Sequence, residues 1–263
     1  MKTTLLTTVL ILLNLSGSGQ GKKGEFIIDD SKIKEWNQAK AKGEYIIDDS
    51  KIKIWDQAKA SDYQSVYHFS VSEVESTLVL ILDEDSCYAQ IQSGEWIEND
   101  GKEDWIQKFE TVKNVKIKGN KFFSDKTNGE FVIFDYDNQP LKGLMVYKPW
   151  SSWVFYANSK GFELGNTCGQ VNFHFPGKFP YASWRRLSKE ELDKMSKSDL
   201  QIMRNEIYAR YGYIFKLHGD MDLYFKKQSW YHGQKKNIDD YLTGLEQRNI
   251  ELIQITEKNK SGL

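Results

Sequence analysis

Few residues in this sequence stand at spacings that do chemistry. The four histidines, His68, His174, His218 and His232, include no i, i+4 pair that would hold zinc with a glutamate on a helix, and there is no Cys-x-x-Cys. Asp135-Tyr-Asp137 starts like a calcium loop, but Pro140 stands where that loop requires glycine, and a hairpin turn accounts for the pair. No Gly-x-Ser-x-Gly nucleophile turn occurs in the mature chain. Cys168 with His174 six residues on is the nearest approach to a thiol and base. Period-two alternation over Val171, Phe173 and Phe175 sets His174 on the polar side of an expected strand, with nothing to bring it to sulfur. The acid pairs Glu73/Glu75, Glu98/Asp100, Glu103/Asp104 and Asp220/Asp222 would serve a glycosidase only if folding set two carboxylates about 5–10 Å apart across a sugar cleft. Charged strand edges and turns explain them more simply. Neither a metal nor a cofactor is implied.

Aromatic rings, by contrast, are abundant: 8 Trp, 14 Tyr and 14 Phe in 263 residues. Trp96, Trp105, Trp150, Trp153, Trp184 and Trp230 could offer flat apolar faces to sugar rings, although β domains also fill their cores this way. The preferred platform is Trp230-Tyr231, in a loop-like stretch between Lys226-Lys227 and Lys235-Lys236, where cations beside aromatics suit an anionic glycan or acidic polymer. Tyr208 and Arg210 complete the candidate binding set. Arg210 follows Glu206 by four residues, the spacing of a helix-surface ion pair, and could instead reach a loop carbonyl or carboxylate.

These residues sit in a chain with clear divisions. Lys and Arg total 36 against 37 Asp and Glu, a net charge of −1, which argues against a nucleic-acid partner. Residues 1–19 read as a signal peptide: Lys2, an apolar stretch from Leu5 to Leu15, then Ser16-Gly-Ser-Gly19. Eleven residues cannot span a bilayer, which takes about 20. No later run reaches that length, so no transmembrane segment is expected after the signal is removed. Cys87 and Cys168 are the only cysteines: either one disulfide, worth roughly 4–5 kcal/mol in the chain-entropy account, or two buried thiols.

Residues 20–61 hold a linker-like tandem repeat. Gly24–Lys42 and Gly43–Ser61 are identical at 15 of 19 positions. Either the pair is a doubled epitope or one copy packs and the other does not. Residues 62–182 look all-β, with a continuous apolar run at Leu78–Leu82 and short runs between Gly/Asn turns, as in a sandwich or small barrel. From Trp184 the pattern turns helical. Capping boxes are expected at Ser188–Glu191, Ser198–Gln201 and Thr243–Glu246, and a glycine stop at Gly212. The fold class is therefore α+β: a β domain at 62–182, a small helical domain at 184–258 and a tail at 259–263.

Within the helical part, Met203-Arg-Asn-Glu-Ile-Tyr-Ala-Arg-Tyr-Gly212, Tyr213-Ile-Phe215, Leu223-Tyr-Phe225, Gln228-Ser-Trp-Tyr231 and Asn249-Ile250 resemble the YARHG domain family over roughly residues 188–258. Tyr211 stands where that family usually has histidine. The resemblance implies a bacterial extracellular or envelope protein and supplies no mechanism. Taken together, the sequence reads as an exported protein, periplasmic, cell-surface or extracellular, leaning away from enzyme. The leading function is a binding module for peptidoglycan or another surface glycan. The alternatives are a hydrolase using carboxylates of the β domain and a protein-interaction or structural envelope component.

Overall fold

The computed structural model describes residues 49–56, 59–69, 76–99, 101–136, 139–148, 150 and 162–260. The expected signal peptide, the first repeat copy and Trp153 lie outside them. Among the described residues, ten strands form one antiparallel sheet. They are β1 (Lys53–Ile54), β2 (Ser65–Phe69), β3 (Ser76–Asp83), β4 (Ser86–Asn99), β5 (Lys102–Val112), β6 (Lys116–Lys118), β7 (Lys121–Phe123), β8 (Gly129–Tyr136), β9 (Gln139–Val146) and β10 (Glu163–Gly169). Nine run in the order β5-β4-β3-β2-β10-β9-β8-β7-β6, and β1 pairs with β8. This is one continuous sheet rather than two facing ones, curled as a half-barrel.

Alternation along the strands sorts side chains between two faces. Tyr67, Phe69, Leu78, Leu80, Ala89, Ile91, Phe131 and Leu144 turn inward and form the main core. The run Leu78–Ile81 is continuous because both its faces are covered. Val79 and Ile81 point outward and are buried with Val66, Val171 and Leu245 beneath the C-terminal segment. A strand sandwiched in this way needs no polar positions.

The β unit starts inside the second repeat copy. Trp55 is buried in the core, its amide donates to Phe131 O at 3.0 Å, and Lys142 lies 4.6 Å over its ring. Tyr63 stacks on Phe131 at 3.9 Å and donates its hydroxyl to Trp55 O at 2.8 Å. That copy therefore packs rather than serving only as a linker. Tyr63→Phe should lower stability by about 1 kcal/mol, the net value of one such bond, with the fold intact. Denaturant midpoints with unchanged slopes would check it.

Beyond β10 the chain leaves the sheet, and one expectation changes. Val171–Phe173 forms a 3-10 turn, with Phe173 and His174 amides bonded to Gln170 O and Val171 O, rather than a strand. Pairing with β2 ends at Gly169, and Phe173 is 81% exposed, so the alternation marked one buried Val171 and not a sheet face. Of the two readings left open for the cysteines, the structure has free thiols, with Cys87 half-buried and Cys168 exposed. Each sits on its own strand, Cys87 opposite Leu82 on β3 and Cys168 donating to Val66 O.

Four helices follow: α1 (Lys189–Asp193), α2 (Lys197–Arg210), α3 (Asp220–Phe225) and α4 (Gly244–Asn259). Ser188 caps α1 and Thr243 caps α4 with a full capping box. The cap of α2 is Ser196, accepting from Asp199 N, two residues ahead of the Ser198 expected from sequence. Gly212 takes φ +74° and stops α2; a Cβ there would lie 2.8 Å from His232 O. Residues 43–263 form one compact unit.

Candidate functional site

The four residues singled out from the sequence fall in two places. Tyr208 and Tyr231 flank a small aromatic cluster around Phe215 and Phe225, with Trp230 edge-on to Phe225 at 6.0 Å. Trp230 is half-buried there, and the Tyr231 hydroxyl donates to Tyr213 O. Arg210 lies elsewhere, deep under the loop at 176–183. Its guanidinium donates to Pro176 O (2.8 Å), Ser183 Oγ (2.9 Å), Phe179 O (3.0 Å) and Glu206 Oε2 (3.1 Å). Glu206 in turn accepts from the amides of Lys178 and Phe179, both at 2.7 Å. Both roles considered for Arg210, the i+4 pair and the reach to a loop carbonyl, are thus filled at once. Burial pushes the Glu206 carboxyl upward against the pull of these donors. Asn249 makes a similar clasp, accepting from Leu187 N and donating to Ala182 O and Arg185 O.

The clasp ties α2 to the loop at 176–183 through Glu206 and Arg210. The comparison with protein families gives a match that begins in that loop. Residues 178–258 match the YARHG domain. No curated protein and no solved structure matches the chain. The match opens ten residues ahead of the stretch that resembles the family by eye, and those ten include the loop held by Glu206 and Arg210. The domain is associated with extracellular or periplasmic proteins. No helix among the described residues is long and apolar enough to cross a membrane.

The YARHG domain meets the sheet through Tyr211, the position where histidine is usual. Tyr211 is buried edge-on against Phe109 of β5, with ring centroids 4.8 Å apart. Its hydroxyl donates to Glu246 Oε2 at 2.6 Å and accepts from Gln90 Nε2 at 2.9 Å. Glu246 also caps α4, accepting from the amide and hydroxyl of Thr243, both at 3.0 Å. Burial drives its carboxyl upward; Tyr211, Ser183 and Thr243 oppose that. A folded-state pKa raised in this way stabilises fully below the ordinary glutamate value, and the contribution is lost as pH rises through the raised value. Wild type should therefore lose stability relative to Glu246→Gln as pH goes from about 4 to about 7, the side of the glutamate range that counts. Urea melts across that range decide it: parallel curves contradict the assignment.

The outer face of β2–β5 carries a groove of about 270 Å³ beside this contact. Pairing sets one rung across its floor: His68 opposite Thr77, Thr77 opposite Gln92, Gln92 opposite Phe109. Ser76, Ser93, Gln107 and Trp105 complete the lining. The lining bears the hydroxyls of Ser76, Thr77 and Ser93, the amides of Gln92 and Gln107 and the His68 imidazole, with Trp105 and Phe109 as aromatic walls. Trp105 pairs across the hairpin with Trp96, their rings 5.2 Å apart and T-shaped. Trp96 is 59% exposed and Trp105 37%. Trp105 lies over Gly94, where an added Cβ would come within 2.1 Å of the indole. The YARHG domain braces this edge: Gln234 Nε2 donates to Trp105 O and Lys235 Nζ to Gln107 O, capping carbonyls of the edge strand.

Sequence reading weighed Trp96 and Trp105 among six tryptophans but did not separate them from core. Their equal distance from Asp100-Gly101, four residues on either side, which makes them cross-strand partners, is the signal that would have done so. Gln92, His174 and Gly94 carried no such signal, because their places depend on what packs over the sheet.

Proposed function

We propose that this protein is an exported, non-enzymatic binding module for a cell-wall or surface glycan, and that the glycan lies in the groove of β2–β5. One observation carries the reading: two exposed indoles, Trp105 and its cross-strand neighbour Trp96, stand at the edge of a lining of hydroxyls, amides and the His68 imidazole. Sugar rings offer flat C–H faces for the indoles and hydroxyls for the floor. Export is supported by the leader-like first 19 residues and by the company YARHG domains keep. The YARHG domain acts in this reading as the brace that holds the β5 edge, and the groove does the binding.

The test is co-sedimentation of the full chain with isolated cell-wall sacculi, with soluble fragments assayed in the supernatant. Wild type should be retained without releasing fragments, and Trp96→Ala should be lost from the pellet while Trp230→Ala is kept. Released fragments would make the protein a hydrolase; no retention at all would point to a protein partner. A second outcome follows from Gly94. Gly94→Ala forces the Trp105 indole off the strand and should weaken glycan binding about tenfold, roughly 1.4 kcal/mol, in a soluble-fragment titration. Unchanged affinity would remove Trp105 from the site.

A further inference from the structure

The groove floor is wired to the YARHG domain by a run of side-chain hydrogen bonds whose direction can be deduced from its far end. The Tyr241 carbonyl can only accept, so Gln90 Nε2 donates to it and to the Tyr211 hydroxyl, whose own proton goes to Glu246 Oε2. Gln90 Nε2 spends both its protons, one on the Tyr211 hydroxyl and one on Tyr241 O at 2.7 Å. A flipped Gln90 would set its carbonyl against the Tyr241 carbonyl, so its orientation is fixed. Its Oε1 is then an acceptor and takes a proton from Gln92 Nε2 at 3.0 Å. That fixes Gln92 too, and leaves its Oε1 to accept from His174 Nε2 at 2.9 Å. Burial lowers the His174 pKa to about 4, so the ring is neutral at ordinary pH and carries its single proton on Nε2. Every donor from His174 to Tyr211 thus points toward Glu246, an arrangement in which each bond polarises the next.

Gln92 lines the groove. With one proton and one lone pair already committed, its amide offers the groove one N–H and one carbonyl lone pair, held in place. We propose that Gln92 is the residue that sets ligand specificity, that it selects a sugar bearing an acetamido group, and that Tyr211 and Glu246 are its positioning residues. This rests on the glycan reading above. An acetamido group carries one donor and one acceptor on separate atoms, as Gln92 does, whereas a hydroxyl meeting the same N–H and lone pair must bend both bonds toward a single oxygen, which weakens them. A fixed amide left half-paired discriminates; a freely flipping one would adapt to either ligand.

The experiment titrates the full chain with N-acetylchitotetraose and with cellotetraose, which differ in that acetamido group. Side-chain amide resonances of Gln92 are followed by ¹⁵N NMR in wild type, Tyr211→Phe and Glu246→Gln. The expected result is about tenfold tighter binding of the acetylated probe, a preference that Gln92→Leu abolishes. Tyr211→Phe should move the Gln92 amide resonances before any ligand is added and reduce the preference, which a purely structural role for Tyr211 would not do. Should that variant fail to fold, Glu246→Gln, which keeps the side-chain shape, is read in the same way. Equal affinity for the two probes, or Gln92 resonances indifferent to both variants, overturns the proposal and leaves the glycan reading standing. Failure of wild type to bind either probe overturns both.

Discussion

Arg210→Ala will destabilise the chain by about 3–5 kcal/mol, because it leaves the Glu206 carboxylate buried without its counter-charge. The side chains are 5% and 1% exposed, so water cannot replace what is lost. The guanidinium also holds Pro176 O, Phe179 O and Ser183 Oγ, so the loop at 176–183 loses its anchor at the same time. Arg210→Lys should recover little: a single ammonium cannot serve four acceptors in a planar fork. Chemical denaturation with matched circular dichroism checks both variants. A loss below about 1 kcal/mol, the range of exposed ion pairs, would mean the clasp is a surface feature.

The second large effect lies in function and spares stability. Trp105→Ala should weaken glycan binding about 30-fold, the scale of losing one aromatic anchor worth about 2 kcal/mol. Its cost to folding should stay near 1 kcal/mol, since the indole rests on the outer edge of the sheet over Gly94 and not in the core. Isothermal titration with soluble wall fragments, beside a thermal melt, separates the two quantities. Full affinity in Trp105→Ala would detach the groove from the function proposed.

Much of the architecture is legible in local pattern. The apolar run at Leu78–Ile81 signals a strand covered on both faces, and the structure shows what covers it. Thr243 and Glu246 announce the start of α4, and Gly212 the end of α2, because caps are decided within one turn of chain. The misreadings arise where distant packing decides. Val171–Phe175 alternates like a strand, yet no sheet edge is left for it to pair with after Gly169. For Trp230-Tyr231 the packing on Phe215 and Phe225 is likewise out of reach of the sequence, and it leaves both residues half-buried. The groove is hardest to see of all. Its floor draws single residues from four strands, and its bracing comes from Gln234 and Lys235, more than a hundred residues further along the chain.

The most direct test of the central claim follows the indole N–H resonances of the full chain while soluble peptidoglycan fragments are added. The groove reading predicts saturable shifts at Trp96 and Trp105, with Trp230 unmoved. Shifts at Trp230 with Trp96 and Trp105 unmoved would contradict it and return the binding site to the YARHG domain.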